Sequence, residues 1–133
     1  VLQGSNTLRR GRSARRRVLI VEDEPYVRDV IAEYLANAGY VVDAAGSGLQ
    51  ALECMRSTMP DLVLLDLGLP IMSGPDFVAA VRREPRLASA NVVVLSGQAD
   101  LTDEVANLGA RASLAKPVDL DILLAIVDRV SRT

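Results

Sequence analysis

No histidine occurs anywhere in the 133 residues. That absence excludes Ser-His and Cys-His nucleophilic pairs, histidine metal sites and any phosphohistidine formed on this chain. Cys54 is the single cysteine, so no internal disulfide can form. A lone cysteine ordinarily serves as a small buried hydrophobe, and its isolation fits a reducing, cytoplasmic compartment. Tryptophan is missing, and the aromatics are Phe77, Tyr26, Tyr34 and Tyr40 alone. No apolar run approaches the roughly 20 residues of a membrane span, and no signal-peptide pattern opens the chain. No membrane contact is therefore expected.

Half of the residues are apolar, a globular composition of a length that suits one domain with a real core. Charge is uneven. Residues 1–17 hold six arginines and no acid, which leaves nine of the 15 basic residues against all 17 acidic ones, a net of −8 for the remainder. So acidic a body is a poor nucleic-acid binder on its own. Residues 1–17 show no periodicity and read as a disordered basic leader or linker. Val1–Ser5 resembles the remnant of a tag-cleavage site and is set aside. The folded domain is expected over 18–133.

Within that domain, short apolar runs alternate with helix-periodic stretches. Val18–Val21 reads as a strand, followed by Glu22, Asp23 and Glu24. Pro25 then opens a helix whose Val27, Val30, Ile31, Tyr34, Leu35 and Ala38 share one face, and Gly39 stops it. Val41–Ala45 is a second strand. Ser47 with Gln50 fits a capping box for a helix over Gly48–Met59, with Ala51, Leu52 and Met55 inward and Pro60 beyond its end. The stretch DLVLLDLGLPIMSG at 61–74 carries an unbroken apolar run that reads as a strand buried on both faces and closed by Asp66. A third helix starts at Ser73–Pro75 and ends at Pro85. Val92–Leu95 is a fourth strand, closing on Ser96. A fourth helix is expected around Leu101, Val105 and Leu108. Ala112–Ala115 is a weak fifth strand before Lys116 and Pro117, and the last helix begins at Asp119. Such alternation implies an α/β fold, a parallel sheet with helices on both faces.

In an open parallel sheet, ligands bind beyond the carboxyl ends of the strands. Glu22, Asp23, Asp66, Ser96 and Lys116 all stand at those ends. Taken singly, Ser96 would be a turn residue, Lys116 a surface charge, and the acids at 22–24 compensation for a helix dipole. Taken together they crowd carboxylates from two strands, which calls for a cation. A hard divalent ion with oxygen ligands, Mg²⁺, suits such a site, with Asp23 and Asp66 as direct ligands and Glu22 acting through water. A backbone carbonyl just past Asp66, that of Gly68, could complete the set. A carboxylate beside a metal and an ammonium can act as a nucleophile towards phosphorus, with Ser96 hydrogen-bonding a phosphoryl oxygen.

The segments VLIVEDEP at 18–25, LVLLDLGLPIMSG at 62–74, VVVLSG at 92–97 and LAKP at 114–117 together resemble the receiver domain of two-component response regulators. The resemblance covers about residues 17–131. It implies a flavodoxin-like (βα)5 doubly wound fold with strand order 2-1-3-4-5. It also implies phosphoryl transfer from a histidine kinase or histidine phosphotransfer domain onto an aspartate. Position by position, Asp66 matches the phospho-acceptor, and Glu22 and Asp23 the acidic pair that binds Mg²⁺. Gly68 matches the residue whose carbonyl also binds the ion, Ser96 the switch hydroxyl, and Lys116 the lysine, whose bond to Pro117 is cis in the family. Where the family often has an aromatic residue three positions before the lysine, this chain has Ser113.

The expected output is a phosphorylation-dependent change in the face formed by the fourth helix, the fifth strand and the last helix, which could bind an output protein or a second copy. The chain would catalyse only its own phosphorylation and dephosphorylation. It reads as a stand-alone regulator or as a receiver excised from a hybrid sensor kinase, with its place in the cytoplasm or on the cytoplasmic side of a membrane sensor. The competing reading is an unphosphorylated pseudo-receiver serving as an interaction module. A flavodoxin-like nucleotide binder is disfavoured by the acidic first loop, which repels anions. A dehalogenase-type phosphatase is disfavoured by Leu67-Gly68 where D-x-D would be needed.

Overall fold

A computed structural model describes residues 15–97 and 108–132. The leader up to residue 14, and the fourth helix expected at Leu101 and Val105, lie outside the described residues. Five strands form one parallel sheet: β1 (Arg17–Val21), β2 (Val41–Ala45), β3 (Leu62–Asp66), β4 (Val92–Ser96) and β5 (Ala112–Ala115). Their spatial order is β2-β1-β3-β4-β5, as the resemblance implies. Four helices are described: α1 (Pro25–Asn37), α2 (Gly48–Ser57), α3 (Gly74–Arg83) and α4 (Leu120–Ser131). None is long and apolar enough to cross a membrane.

The central strands are apolar over 18–21, 62–65 and 92–95 because both faces are covered there. Leu19, Val21, Val63, Leu65, Val92 and Val94 meet α2 and α3 through Ala51, Leu52, Met55, Phe77, Val78 and Val81. Val18, Ile20, Leu62, Leu64, Val93 and Leu95 meet α1 and α4 through Ile31, Leu35, Leu123, Val127 and Val130. Side chains alternate sides along each strand, so each run feeds two cores. Every residue of β3 and β4 is buried, including Asp66 and Ser96 at their ends.

Several boundaries differ from the sequence expectation for local reasons. β1 begins at Arg17, one residue early. Its N–H donates to Asp61 Oδ2 at 2.8 Å, and its guanidinium pairs with Asp43 at 2.7 Å. Arg16 likewise reaches the Ser131 carbonyl at 3.1 Å. The basic stretch therefore enters the fold at its last two residues. α2 stops at Ser57 rather than Met59, because Thr58 is already extended and the residue before Pro60 is disfavoured in helical conformation. Ala38 caps α1 instead of joining its buried face. Ser47 caps α2 by accepting from Gln50 N at 3.2 Å, while Gln50 Oε1 accepts from Gly46 N at 2.9 Å rather than from the Ser47 N–H.

Candidate functional site

Register places the five predicted side chains at one edge. Val21 of β1 is level with Leu65 of β3; Asp66 is level with Leu95 of β4, and Ser96 with Ala115 of β5. The residues that end β3 and β4, Asp66 and Ser96, and those that follow β1 and β5, Glu22 and Lys116, therefore emerge at the same edge. Glu22 N donates to Ala45 O at 3.1 Å and Lys116 N to Ser96 O at 2.7 Å, extending the sheet's hydrogen bonding to the lip of the site. The Lys116–Pro117 peptide is cis.

Carboxylate oxygens of Glu22, Asp23 and Asp66 lie within 4.8 Å of one another. Glu22 is 1% exposed and Asp66 6%, while Asp23 faces solvent. Lys116, the only lysine in the chain, bridges the two buried acids, with Nζ 2.9 Å from Glu22 Oε1 and 3.2 Å from Asp66 Oδ1. Backbone donors add to this: Glu24 N donates to the other Glu22 oxygen, Oε2, at 3.2 Å, and Gly68 N donates at 3.1 Å to the same Asp66 Oδ1 that Lys116 meets. Ser96 is buried beside them at the end of β4. Burial pushes the Glu22 carboxyl up from the usual range, aided by the negative charge of Asp66; the Lys116 ammonium and the Glu24 N–H only partly oppose it. Burial would lower the Lys116 pKa, but its hydrogen bond to Glu22 and the charges of Asp66 and Glu22 outweigh that and hold it above the ordinary value.

One ammonium against three carboxylates leaves the cluster two charges short of neutrality. The donor set is all oxygen, close-spaced, and partly open to solvent through Asp23. These residues fit a hard divalent cation that keeps some of its waters.

Glu24, the third acid of the triplet, is not in the cluster. It caps α1 by accepting from Tyr26 N at 2.8 Å, so the helix-dipole reading holds for that acid alone. Ser113 is exposed on β5, level with Val94. Two features were not read from the sequence. Arg28 Nη1 donates to the Glu22 carbonyl at 3.0 Å, bracing the loop that carries both acids. A groove of about 530 Å³ also runs between α1 and the segment after β5, lined mainly by Tyr26, Val27, Val30, Pro117, Val118 and Leu120. The helical spacing of Val27 and Val30 was visible, but it pointed to the core rather than to a cleft.

The response regulator receiver domain matches this sequence over residues 18–128. Protein Rrf1 of Nitratidesulfovibrio vulgaris is 36% identical over 117 residues, covering 88% of this chain and 83% of its own length. The transcriptional regulatory protein PdtaR of Mycobacterium tuberculosis is 39% identical over 119 residues, and there the chain spans only 58% of the relative's length. Chemotaxis protein CheY4 of Vibrio cholerae superposes with a TM-score of 0.82 at 30% identity, covering 88% of this chain and 99% of that one. The signal receiver domain of a histidine kinase from Syntrophus aciditrophicus gives 0.79 at 28% identity, over 88% and 90%. With its β2-β1-β3-β4-β5 sheet and its acidic edge, the chain belongs to the response regulator receiver domain family, whose members act in two-component signalling and whose general function is to accept a phosphoryl group.

Proposed function

We propose that Asp66 is the phospho-acceptor of this receiver and that it takes the group from a histidine kinase or histidine phosphotransfer domain. The observation that carries the reading is Lys116, whose ammonium spans Glu22 and Asp66 at 2.9 and 3.2 Å inside a buried set of oxygens. An Asp66 oxygen attacks phosphorus, the P–N bond to the donor imidazole breaks, and the electron pair leaves with the imidazole. Glu22, Asp23, Asp66 and the Gly68 carbonyl would hold Mg²⁺, which supplies charge neutralisation on the transferring oxygens when bound. Lys116 provides fixed positive charge, Ser96 hydrogen-bonds one phosphoryl oxygen, and the Gly68 N–H orients the acceptor. The apolar groove beside Lys116 offers a landing site for the donor protein.

Phosphorylation adds about −1.5 to −2 charges at Asp66. Two hydrogen bonds to the phosphoryl group, a new one from Ser96 and one from Lys116 in place of its contact with Asp66 Oδ1, contribute at most about 3–6 kcal/mol. Inverting a 1:99 equilibrium takes about 5.5 kcal/mol. Only the upper end of that range reaches the requirement, so at full strength the two contacts just drive a switch in the face of the fourth helix, β5 and α4 without an aromatic at Ser113. The same chemistry serves a stand-alone regulator or a receiver within a larger kinase.

The test is incubation with phosphoramidate and Mg²⁺, read by intact mass and by amide spectra. Wild type should gain one phosphoryl group and Asp66→Asn none. Persistent gain in the Asn variant would remove Asp66 from the acceptor role. A wild-type chain that never gains mass would return the pseudo-receiver reading.

A further inference from the structure

The loop that leaves Asp66 for α3 holds a conformational outlier. Met72 N donates to Pro70 O at 2.7 Å and Ile71 has φ of 69°, which makes a γ-turn of the rare, strained hand. Among the described residues Ile71 is the only non-glycine with positive φ. For a β-branched side chain that is a genuine outlier, and glycine would fit without penalty. Nor does the side chain support the fold, since Ile71 is 99% exposed. Its neighbour fixes the turn in place: Met72 packs so closely over the start of α2 that a Cβ on Gly48 would stand 2.7 Å from its sulfur. The chain thus holds a large apolar group in water, in a backbone conformation that opposes it, five residues past the acceptor.

Strain of this kind persists where function uses it. The acceptor carboxylate is itself only 6% exposed, so a protein donor must lower its phosphohistidine into the site and rest its body on whatever projects around the opening. A small phosphodonor needs no such landing. No histidine lies within these 133 residues, so the phosphohistidine arrives on a separate folded unit and not on another copy of this domain. We propose that Ile71 is a specificity-determining contact, an apolar anchor for the surface that surrounds the histidine of the phospho-donor protein. This rests on the reading of Asp66 as acceptor.

The test compares wild type, Ile71→Gly and Ile71→Leu with two donors. One is phosphoramidate. The other is an autophosphorylated, radiolabelled histidine kinase fragment, chosen from a panel as the one that labels wild type fastest. Ile71→Gly relieves the turn, so its melting temperature should not fall. It should label with phosphoramidate at the wild-type rate, yet take phosphate from the kinase about tenfold more slowly, the loss expected from removing one buried aliphatic contact. Ile71→Leu should recover most of that loss. Unchanged kinase transfer in Ile71→Gly overturns the proposal. So does an equal loss with both donors, which would assign Ile71 to loop geometry. A panel in which no kinase labels a wild type that phosphoramidate does label also overturns it. Failure of phosphoramidate on wild type refutes instead the acceptor reading beneath it.

Discussion

Replacing Asp23 with asparagine should change the sign of its effect with magnesium. Asp23 is exposed, and its carboxylate lies within 4.8 Å of those of Glu22 and Asp66. At that separation each repulsion is about 0.9 kcal/mol in bulk water and about 3.5 at an effective dielectric of 20. The exposed position selects the lower figure. Screening over a Debye length of about 10 Å reduces the two repulsions together to about 1 kcal/mol, before any offset from Lys116. In chelator, Asp23→Asn should therefore be more stable than wild type by up to about 1 kcal/mol, roughly 4 °C in Tm for a domain of this size. With Mg²⁺ at a hundred times its Kd, wild type should gain about 2.7 kcal/mol. A variant that binds a hundredfold more weakly gains about 0.4 kcal/mol, so the order reverses by somewhat more than 1 kcal/mol. Circular-dichroism melts of both proteins in EDTA and across a magnesium series read this directly. Curves that keep the same order and spacing at every concentration would refute the electrostatic account of the cluster.

Two further outcomes are expected. Lys116 is the sole lysine, so reductive methylation with a carbon-13 label gives one side-chain signal, told from that of the α-amino group by the latter's titration at about 8. Its pKa should lie above the ordinary 10.5, because the pairing with Glu22 and Asp66 outweighs burial. A raised native pKa means that the pair's contribution to stability is fully present below pH 10.5 and is lost as pH rises through the native value; a titration below 10.5 would show that burial wins. Gly74→Ala should destabilise by about 1–3 kcal/mol in urea melts. The added Cβ would stand 2.8 Å from the Leu67 Cα and 2.7 Å from its Cδ2, and backbone cannot yield cheaply there. A change within about 0.5 kcal/mol would mean that the loop relaxes freely.

Period and punctuation made most of the architecture legible. The five apolar runs, Pro25 at a first helical turn and the caps at Ser47, Ser73 and Asp119 are local signals, and each marks an element the structure contains. Helix ends were less certain, as at Ser57, because a proline acts on the residues before it as well as on its own position. The acidic edge was legible for a topological reason. In a parallel sheet every strand ends on the same side, so residues after successive apolar runs must meet there. That argument puts Glu22, Asp66, Ser96 and Lys116 together before any coordinate is known.

Sequence alone therefore settled the fold class and which residues share the edge. It could not say which acid pairs with what. Glu22, Asp23 and Glu24 are adjacent and chemically alike, yet one is buried against Lys116, one faces solvent and one caps a helix. Their roles follow from the direction in which each side chain leaves the backbone once β1 gives way to α1. The groove beside Lys116 and the strained turn at Ile71 arise in the same way. Both depend on how distant segments close over one another, and chain-local patterns carry no record of that packing.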